Sequence, residues 1–388
     1  MALFKNEISD ELLKTRAKPR SIDVRGDYYR DTTAILHSSS FRRLKHKTQV
    51  FFAPSNDHIC TRMEHVLHVA SVASAICRAL NLDTELAWAI GMGHDLGHTP
   101  FGHVGEVIID NLMKERNLEP FEHEMNSMRV IDFLANNGNG LNLTYAVRNG
   151  IASHNGEVFV SHVRPDFKFR DLSELKSRKN ATCATWEAAV VRFSDQIAYL
   201  GRDFEDACRL AIIEKDSLPE NVAKTLGKTN AEIINTLVND LIDNSTPNKG
   251  IAFSDEIFAS VVEMKEFNYK NIYKSPQLEG YSNYFSRLIN LIVTYLEDLF
   301  KTYEFDQLGY RNEKNMLAVG FILYLTEMKE KYLKHDGSYD YVVFDYVAGM
   351  SDNFALDCVN EILKPEHLNM HIEHSLTGKW FDVNKDLL

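Results

Sequence analysis

Apolar side chains recur every three or four residues along most of the chain, which is the spacing of amphipathic helices. In "RMEHVLHVASVASAICRAL" this spacing places Val66, Val69, Ala73 and Ile76 on one stripe. Longer tracts of the same kind are "TWEAAVVRFSDQIAYLGRDFEDACRLAI", "YSNYFSRLINLIVTYLEDLFKTYEF" and "NEKNMLAVGFILYLTEMKEKYLK". Alternating patterns are confined to "TQVFF" and "EVFVSHV". The pattern predicts an all-α fold with at most one small β-hairpin.

Composition narrows the class of protein further. With 388 residues, 44% of them hydrophobic and 25% charged, the chain can bury a large core. The formal net charge of −12 argues against a constitutive nucleic-acid coat, although it is compatible with a local basic pocket. The amino-terminal segment lacks the apolar centre of a signal peptide, and no apolar run reaches the ~18 residues of a membrane helix. Five scattered cysteines without a C-x-x-C pair are typical of reduced thiols. We therefore expect a cytoplasmic protein that does not span a membrane.

The histidines are concentrated in the first half of the chain. Nine of the fifteen lie between His58 and His162. Histidine both binds metals and titrates near neutral pH, so this clustering points to a functional site. The densest stretch, "AIGMGHDLGHTPFGH", carries His94, Asp95, His98 and His103 around a Gly-Pro break. It could be a metal site, a catalytic site or a polar helix end.

Two predicted helices bring part of this stretch close to another histidine. A helix over about 62–80 and a second over about 84–95 are joined by a short turn, which makes them antiparallel neighbours. His65 then lies near His94 and Asp95, and these three groups supply most of a divalent-metal site. A fourth ligand should come from another helix. Asp195 is the best candidate, because Asp195, Tyr199 and Asp203 recur every four residues on one helix face.

Each of these residues alone would be weak evidence, because a single histidine or aspartate in a helix usually has a structural role. His68, one turn after His65, illustrates this, and we expect it to pack beside the site rather than to bind metal. The combination of His65, the adjacent His94-Asp95 pair and the later Asp195 favours a functional site.

The same residues form the pattern H…HD…D, which resembles the HD-domain metal-dependent phosphohydrolases. Further segments are similar, in order and spacing, to the deoxyguanosinetriphosphate triphosphohydrolase-like family. They are "RDTTAILHSSSFRRLKHKTQVFF", "TRMEHVLHVA", "HDLGHTPFGHVGE", "FEHEMNSMRVI", "SDQIAYLGRDFEDA", "FNYKNIY" and "DYVAGMSDNFA". The resemblance extends over roughly residues 28–357. It implies an HD-domain helical bundle with additional C-terminal helices.

The resemblance also implies a reaction. Members of the family cleave a deoxynucleoside triphosphate (dNTP) with water into a deoxynucleoside and inorganic triphosphate. By this resemblance His65, His94, Asp95 and Asp195 bind one divalent metal ion. A ligand set of two histidines and two aspartates suits Mn, Mg, Fe, Co, Ni or Zn. The ion would polarise an α-phosphate oxygen.

Further residues match positions on the phosphate side of the family's site. Arg62 and His98 would bind the substrate, and a planar guanidinium suits bidentate contact with phosphate. His103 resembles the proposed general acid, with Glu106 to orient it, and His123 with Glu124 resembles a second catalytic pair. The sequence leaves open which of His103 and His123 is the acid and which activates water. His154 is equally compatible with a structural role.

On the sugar side, the resemblance assigns Tyr199 and Asp203 to the deoxyribose, and Tyr273 to the sugar or phosphate. A tyrosine under the ring would leave no room for a 2′-hydroxyl and would exclude ribonucleotides. Lys45 stands where many members have a glutamine that contacts the sugar. It could reach phosphate or solvent instead.

We divide the chain into an N-terminal arm (1–40), an HD core (41–215) and a helical C-terminal part (216–388) that completes the nucleotide pocket. Expected partners are the dNTP substrate, an allosteric nucleotide, single-stranded nucleic acid and further copies of the chain in a homo-oligomer. Basic residues that could serve the nucleotide or nucleic acid are Lys14, Arg16, Lys18, Arg20, Arg42, Arg43, Lys45 and Lys47. Two alternatives remain: an HD phosphodiesterase or phosphatase for another nucleotide, and a nucleotide-sensing or nucleic-acid-binding protein without catalysis.

Overall fold

A computed structural model describes residues 4–52, 56–154 and 159–363, and helices dominate it. The helices are α1 (Asp10–Leu13), α2 (Asp27–His37), α3 (Ser39–Arg43), α4 (Arg62–Ala79), α5 (Thr84–Gly93), α6 (Gly102–Glu115), α7 (His123–Arg129), α8 (Ala135–Gly138), α9 (Tyr145–Ser153), α10 (Trp186–Arg209), α11 (Glu220–Thr225), α12 (Asn230–Asn244), α13 (Asp255–Asn268), α14 (Pro276–Tyr303), α15 (Gln307–Asn312), α16 (Met316–His335), α17 (Val342–Ala348) and α18 (Asp352–Leu363). Short 3-10 turns occupy Leu44–His46, Leu172–Glu174, Arg178–Asn180 and Lys215–Ser217, and single π-turns occupy Val130–Leu134 and Tyr269–Tyr273. The predicted all-α class is confirmed.

Side-chain caps set the start of the helices that carry the histidines. Thr61 and Glu64 form a reciprocal capping box at the start of α4. Asp83 caps α5 by accepting hydrogen bonds from the backbone N–H groups of Glu85 and Leu86. Only four residues separate α4 from α5, so the two helices pack side by side as predicted. Gly91 permits this contact, because a Cβ there would lie 2.7 Å from the Cα of Ala70.

Two large apolar clusters form the core. The first contains the predicted stripe of α4, with Val69, Ala73 and Ile76 completely buried, and extends over α5, α9, α10, α12 and α13. The second lies between α6 and the later helices α14, α16, α17 and α18. The histidine-rich segment between α5 and α6 lies where the two clusters meet. The first cluster joins residues from Phe4 to Met264, so it contains parts of all three predicted domains. The domain boundaries remain predictions.

The β-structure differs from the expected hairpin in its pairing. Strand β1 (His162–Val163) lies within the predicted "EVFVSHV" segment, of which Glu157 and Val158 fall outside the described residues. It pairs antiparallel with β2 (Ile251–Ala252), about 90 positions later. The "TQVFF" segment contributes only an isolated bridge between Thr48 and Thr61. The sheet is small, as predicted, but β1 pairs with a strand from a distant segment, because the packing of α10 and α12 brings the two strands together. Within the described ranges, no helix combines the length and apolarity needed to span a membrane.

Candidate active site

Three helices bring the predicted metal ligands together. His65 lies in the first turn of α4, His94 and Asp95 follow the end of α5, and Asp195 lies in the middle of α10. His65 Nε2 lies 3.0 Å from Asp195 Oδ1, and His94 Nε2 lies 3.8 Å from the same oxygen. His65, His94 and Asp195 each offer one ligand atom within 4.8 Å of the others. All four predicted ligands are buried.

The chemistry of these donors fits a divalent cation. His94 Nδ1 lies 2.8 Å from the carbonyl oxygen of Gly91, which directs Nε2 into the site. Nε2 is buried and has no hydrogen-bond partner among the described residues. Burial lowers the pKa of His94 to about 4, so its ring is neutral and able to coordinate. Burial acts to raise the pKa of Asp95, but its electrostatic interactions with the His94 and His98 rings and with the Arg62 guanidinium outweigh it and hold that pKa well below the ordinary range.

Asp95 joins this group to a second one. One of its oxygens, Oδ1, lies 3.3 Å from His94 Nε2 and 3.2 Å from His98 Nε2. The other, Oδ2, accepts a hydrogen bond of 2.6 Å from Nη1 of the buried Arg62. Nε of Arg62 is buried without a hydrogen-bond partner in the part of the chain that the structure describes. Arg62 therefore lies next to the candidate metal ligands, with its Nε–H group unused as a hydrogen-bond donor.

The second group contains His98, Glu106, His123 and His154, all buried. The rings of His98 and His123 stack with centroids 3.9 Å apart and an interplanar angle of 18°. Glu106 Oε1 lies 3.1 Å from His123 Nδ1 and accepts a further bond from the His123 backbone N–H. His123 Nε2 lies 3.3 Å from His154 Nε2, so His154 belongs to the group. Burial lowers the pKa of His123, but the Glu106 and Glu124 carboxylates outweigh it and raise that pKa to about 10.

Glu124 and His103 both contact this group, Glu124 from the interior and His103 at the surface. Glu124 is completely buried, with one oxygen 3.6 Å from His123 Nδ1 and the other 3.3 Å from Nη1 of Arg178. The His103 side chain is 71% exposed, and its Nδ1 lies 3.7 Å from Glu106 Oε2. Glu106 therefore stands between a buried histidine and an exposed one. The sequence reading missed Arg178, because nothing in its polar surrounding segment distinguishes it from a surface arginine.

The predicted sugar contacts lie further along α10. Asp203 is buried, and the hydroxyl of Tyr273 donates a hydrogen bond of 2.5 Å to its Oδ2. Burial raises the pKa of Asp203 to about 7. Tyr199 is half-buried one turn away, and its ring centroid lies 6.3 Å from that of Phe159. Tyr199 and Asp203 thus share the α10 face that also carries Asp195, and Tyr273 reaches Asp203 from the π-turn Tyr269–Tyr273.

Lys45 is separated from this group. It is exposed on the 3-10 turn and lines a cavity of about 400 Å³ together with Thr61 and Glu64, which none of the predicted metal ligands lines. Two neighbours that sequence reasoning did not place are closer to the site. Lys47 Nζ donates a hydrogen bond to the carbonyl oxygen of His98, and the carbonyl oxygen of Gln49 accepts from Arg62. Lys45 and Lys47 lie only two positions apart, yet one is exposed and the other is buried. The apolar pattern around them is too sparse to predict which of the two side chains faces inward.

Several of the other basic residues contact neighbouring groups of the chain. Arg16 is buried and pairs with Asp27 and Asp31, while Arg20 donates to the carbonyl oxygen of Leu141. Arg42 is exposed and donates to the carbonyl oxygen of His37. These contacts give Arg16 and Arg20 structural roles in the arm. Binding of an allosteric nucleotide or of single-stranded nucleic acid remains a prediction.

Comparisons with known proteins agree with this geometry. The family model described as "HD domain" matches residues 62–200, which include all four candidate ligands. A deoxyguanosinetriphosphate triphosphohydrolase-like protein of Caldanaerobacter subterraneus subsp. tengcongensis is 33% identical over 364 residues, covering 93% of this chain and 88% of that protein. Proteins of the same description from Desulfatibacillum aliphaticivorans and Clostridium perfringens (strain 13 / Type A) are each 34% identical, over 91% and 93% of this chain and 92% and 93% of their own lengths.

The order of the matching segments, the HD domain and the near full-length similarity lead to one conclusion: this chain belongs to the deoxyguanosinetriphosphate triphosphohydrolase-like family of HD-domain hydrolases.

Proposed function

We propose that this protein hydrolyses deoxynucleoside triphosphates to deoxynucleosides and inorganic triphosphate in a metal-dependent reaction. One observation carries the proposal: Asp95 contacts the candidate ligand His94 and also His98 through Oδ1, and it contacts Arg62 through Oδ2. A phosphate bound against Arg62 would therefore lie next to the metal candidates. The names of the relatives support the substrate class.

His65, His94, Asp95 and Asp195 would hold one divalent ion, of the set Mn, Mg, Fe, Co, Ni or Zn. When bound, the ion would polarise a phosphate oxygen as a Lewis acid. Two carboxylates balance the charge of a divalent ion, so binding of a highly anionic triphosphate requires further positive charge from the protein.

Arg62 and His123 supply that charge. Arg62 offers a buried guanidinium with an unused donor, and buried charge-assisted hydrogen bonds to phosphate are strong. His123 is protonated at neutral pH because Glu106 and Glu124 flank it. Its Nδ1 faces Glu106, so Nε2, which lies 3.3 Å from His154 Nε2, is the atom that would donate to the substrate in place of that contact. His98, stacked on His123 and next to Asp95, completes the phosphate side.

His103 would protonate the departing 5′ oxygen. A deoxynucleoside alkoxide is a poor leaving group, so its departure needs a proton donor. His103 is at the exposed edge of the histidine group, where a sugar oxygen could approach it, and Glu106 lies close enough to orient its ring. In this assignment Glu106 serves two histidines: it keeps His123 charged and directs His103.

Tyr199, Asp203 and Tyr273 would recognise the deoxyribose. The Asp203 carboxyl group can hydrogen-bond a 3′-hydroxyl, and the Tyr273 hydroxyl fixes its orientation. The Tyr199 ring would exclude a 2′-hydroxyl by steric contact, which is a rejection of ribonucleotides rather than a gain in affinity. Lys45 is too exposed to support the sugar contact, and we assign it at most an outer phosphate contact.

The test is incubation with each dNTP and ribonucleoside triphosphate under several divalent metals, followed by separation of the products. Release of intact triphosphate from dNTPs, and not from ribonucleotides, is the expected result. Orthophosphate or pyrophosphate as the product would instead indicate the phosphatase or phosphodiesterase alternative. Asp95→Ala should abolish the reaction. Unchanged activity of that variant would rule out the metal-centred mechanism.

A further inference from the structure

A cavity of about 490 Å³ lies behind the histidine-rich segment, between α3, α7 and the later helices α16 and α17. Its wall includes Arg43, Lys47, Asn126, Tyr324 and Tyr346. None of the four candidate metal ligands lines it, so it is separate from the proposed active site. Its volume is in the range of pockets that hold small ligands.

The cavity carries positive charge that the described residues balance only in part: the charge of the buried Asp352 acts on Lys47, whereas no carboxylate pairs with Arg43. Nη2 of Arg43 lies 3.3 Å from the Ser40 hydroxyl, while its Nε is buried without a hydrogen-bond partner among the described residues. Lys47 is buried and donates only to the carbonyl oxygens of His98 and Ala348. Within the described ranges, neither cation forms an ion pair with a carboxylate.

The two acidic residues that line the cavity, Asp345 and Glu327, do not neutralise Arg43. Asp345 accepts hydrogen bonds from Arg129 and from the Tyr332 hydroxyl, each at 2.7 Å, so its charge is already matched. Glu327 is exposed at the rim. Burial lowers the pKa of both Arg43 and Lys47, which reflects the cost of burying a cation; the charge of Asp352 opposes this at Lys47, and no carboxylate does so at Arg43. A bound anion would remove that cost.

We propose that this cavity binds a small phosphate-bearing anion through Arg43 and Lys47. A guanidinium with free donors matches the oxygens of a phosphate group, and the Tyr346 hydroxyl on the cavity wall can donate a further hydrogen bond. The remaining volume accommodates the rest of a phosphorylated metabolite. The proposal concerns binding alone and does not depend on the hydrolytic reaction.

The site is coupled to the active-site segment by two direct hydrogen bonds. Lys47 holds the carbonyl oxygen of His98, and Asn126 Nδ2 donates to the carbonyl oxygen of Gly97 at 2.6 Å. An anion that keeps Lys47 protonated would strengthen its bond to His98. We therefore expect bound phosphate to slow amide hydrogen exchange in the segment 96–98.

The test uses inorganic phosphate and calorimetry, with Arg62→Gln and His123→Gln combined in the full chain to weaken phosphate binding at the active site. In this background Arg43→Met should weaken the remaining phosphate binding at least about tenfold. Arg42→Met is the matched control, because it removes the same charge one position away from an exposed side chain. Equal affinity in the two variants, or no phosphate binding to the parent, would overturn the proposal.

A second variant tests phosphate binding at Arg43 in case Arg43→Met does not fold. Ser40→Asp places a carboxylate beside Arg43 and supplies the missing counter-ion within the chain. It should raise the melting temperature without phosphate and should abolish the stabilisation that phosphate gives to the parent. Undiminished stabilisation of Ser40→Asp by phosphate would contradict the assignment to Arg43.

Discussion

His65 Nε2 and Asp195 Oδ1 lie 3.0 Å apart although 130 positions separate the two residues in the chain. Burial lowers the pKa of His65, but the hydrogen bond and charge of Asp195 outweigh it and raise that pKa. The contact joins the start of α4 to the middle of α10 within the first apolar cluster. It fixes the distance between two predicted ligands before any ion binds.

Asp195→Asn should therefore reduce metal affinity by at least about 100-fold, because it removes an anionic ligand rather than an outer partner. Metal content after dialysis against a graded series of free metal measures the change. Glu205→Gln on the same helix is the control, since Glu205 forms only partly exposed pairs with Arg202 and Arg209, which contribute little. Full metal retention by Asp195→Asn would exclude Asp195 as a ligand.

Glu106→Gln should lower the pKa of His123, because the Glu106 charge is the largest influence raising it. The protonated form of His123 would then be lost at a lower pH. We expect the alkaline limb of the pH–rate profile to move to lower pH and the rate at neutral pH to fall roughly 100-fold. A reduced rate with an unmoved alkaline limb would show that Glu106 acts in some way other than through His123.

Asp203 should make the stability of the fold depend on pH. Its pKa is about 7 in the folded protein against an ordinary value of 3.8, because burial disfavours the carboxylate. The folded state binds this proton more tightly, so the contribution is complete below about pH 4 and is lost as pH rises through about 7.

Asp203→Asn removes that dependence. Relative to wild type, the free energy of unfolding of Asp203→Asn should increase between pH 4 and pH 8, by at most about 4 kcal/mol. Denaturant titrations at several pH values measure the difference. Asp243→Asn, which changes an exposed carboxyl group on α12, should show no such trend. If the difference in the free energy of unfolding between Asp203→Asn and wild type does not change with pH, protonation of Asp203 is not linked to folding.

Gly97→Ala should disturb the active-site segment through the backbone. A Cβ at Gly97 would lie 2.1 Å from the backbone nitrogen of Ser127 and 2.6 Å from the carbonyl oxygen of His123. We expect a loss of at least about 2 kcal/mol of stability together with reduced activity. Gly280→Ala on α14 is the control, because no atom of the described residues lies within 4 Å of its Cβ and alanine favours helix by up to about 1 kcal/mol. A free energy of unfolding of Gly97→Ala equal to that of wild type would show that the backbone around Gly97 can move to accommodate the added methyl group.

Local sequence signals determined the helices and brought together three of the four candidate metal ligands. The Asp83 cap and the short turn before it fix α4 and α5 as antiparallel neighbours, which brings His65 towards His94 and Asp95. Side-chain periodicity likewise placed Asp195, Tyr199 and Asp203 on one face of α10. These inferences succeed because capping, spacing and short connections act over a few helical turns.

Only the tertiary structure decided which distant groups meet. It paired His162–Val163 with a strand 90 positions away, buried Lys47 against His98 while leaving Lys45 exposed, and placed Arg43 beside a cavity without a counter-ion. Each outcome depends on the packing of several helices at once, and a single sequence holds no local signal for it. The candidate ligands could be named from the sequence, whereas the charges that surround them followed from the fold.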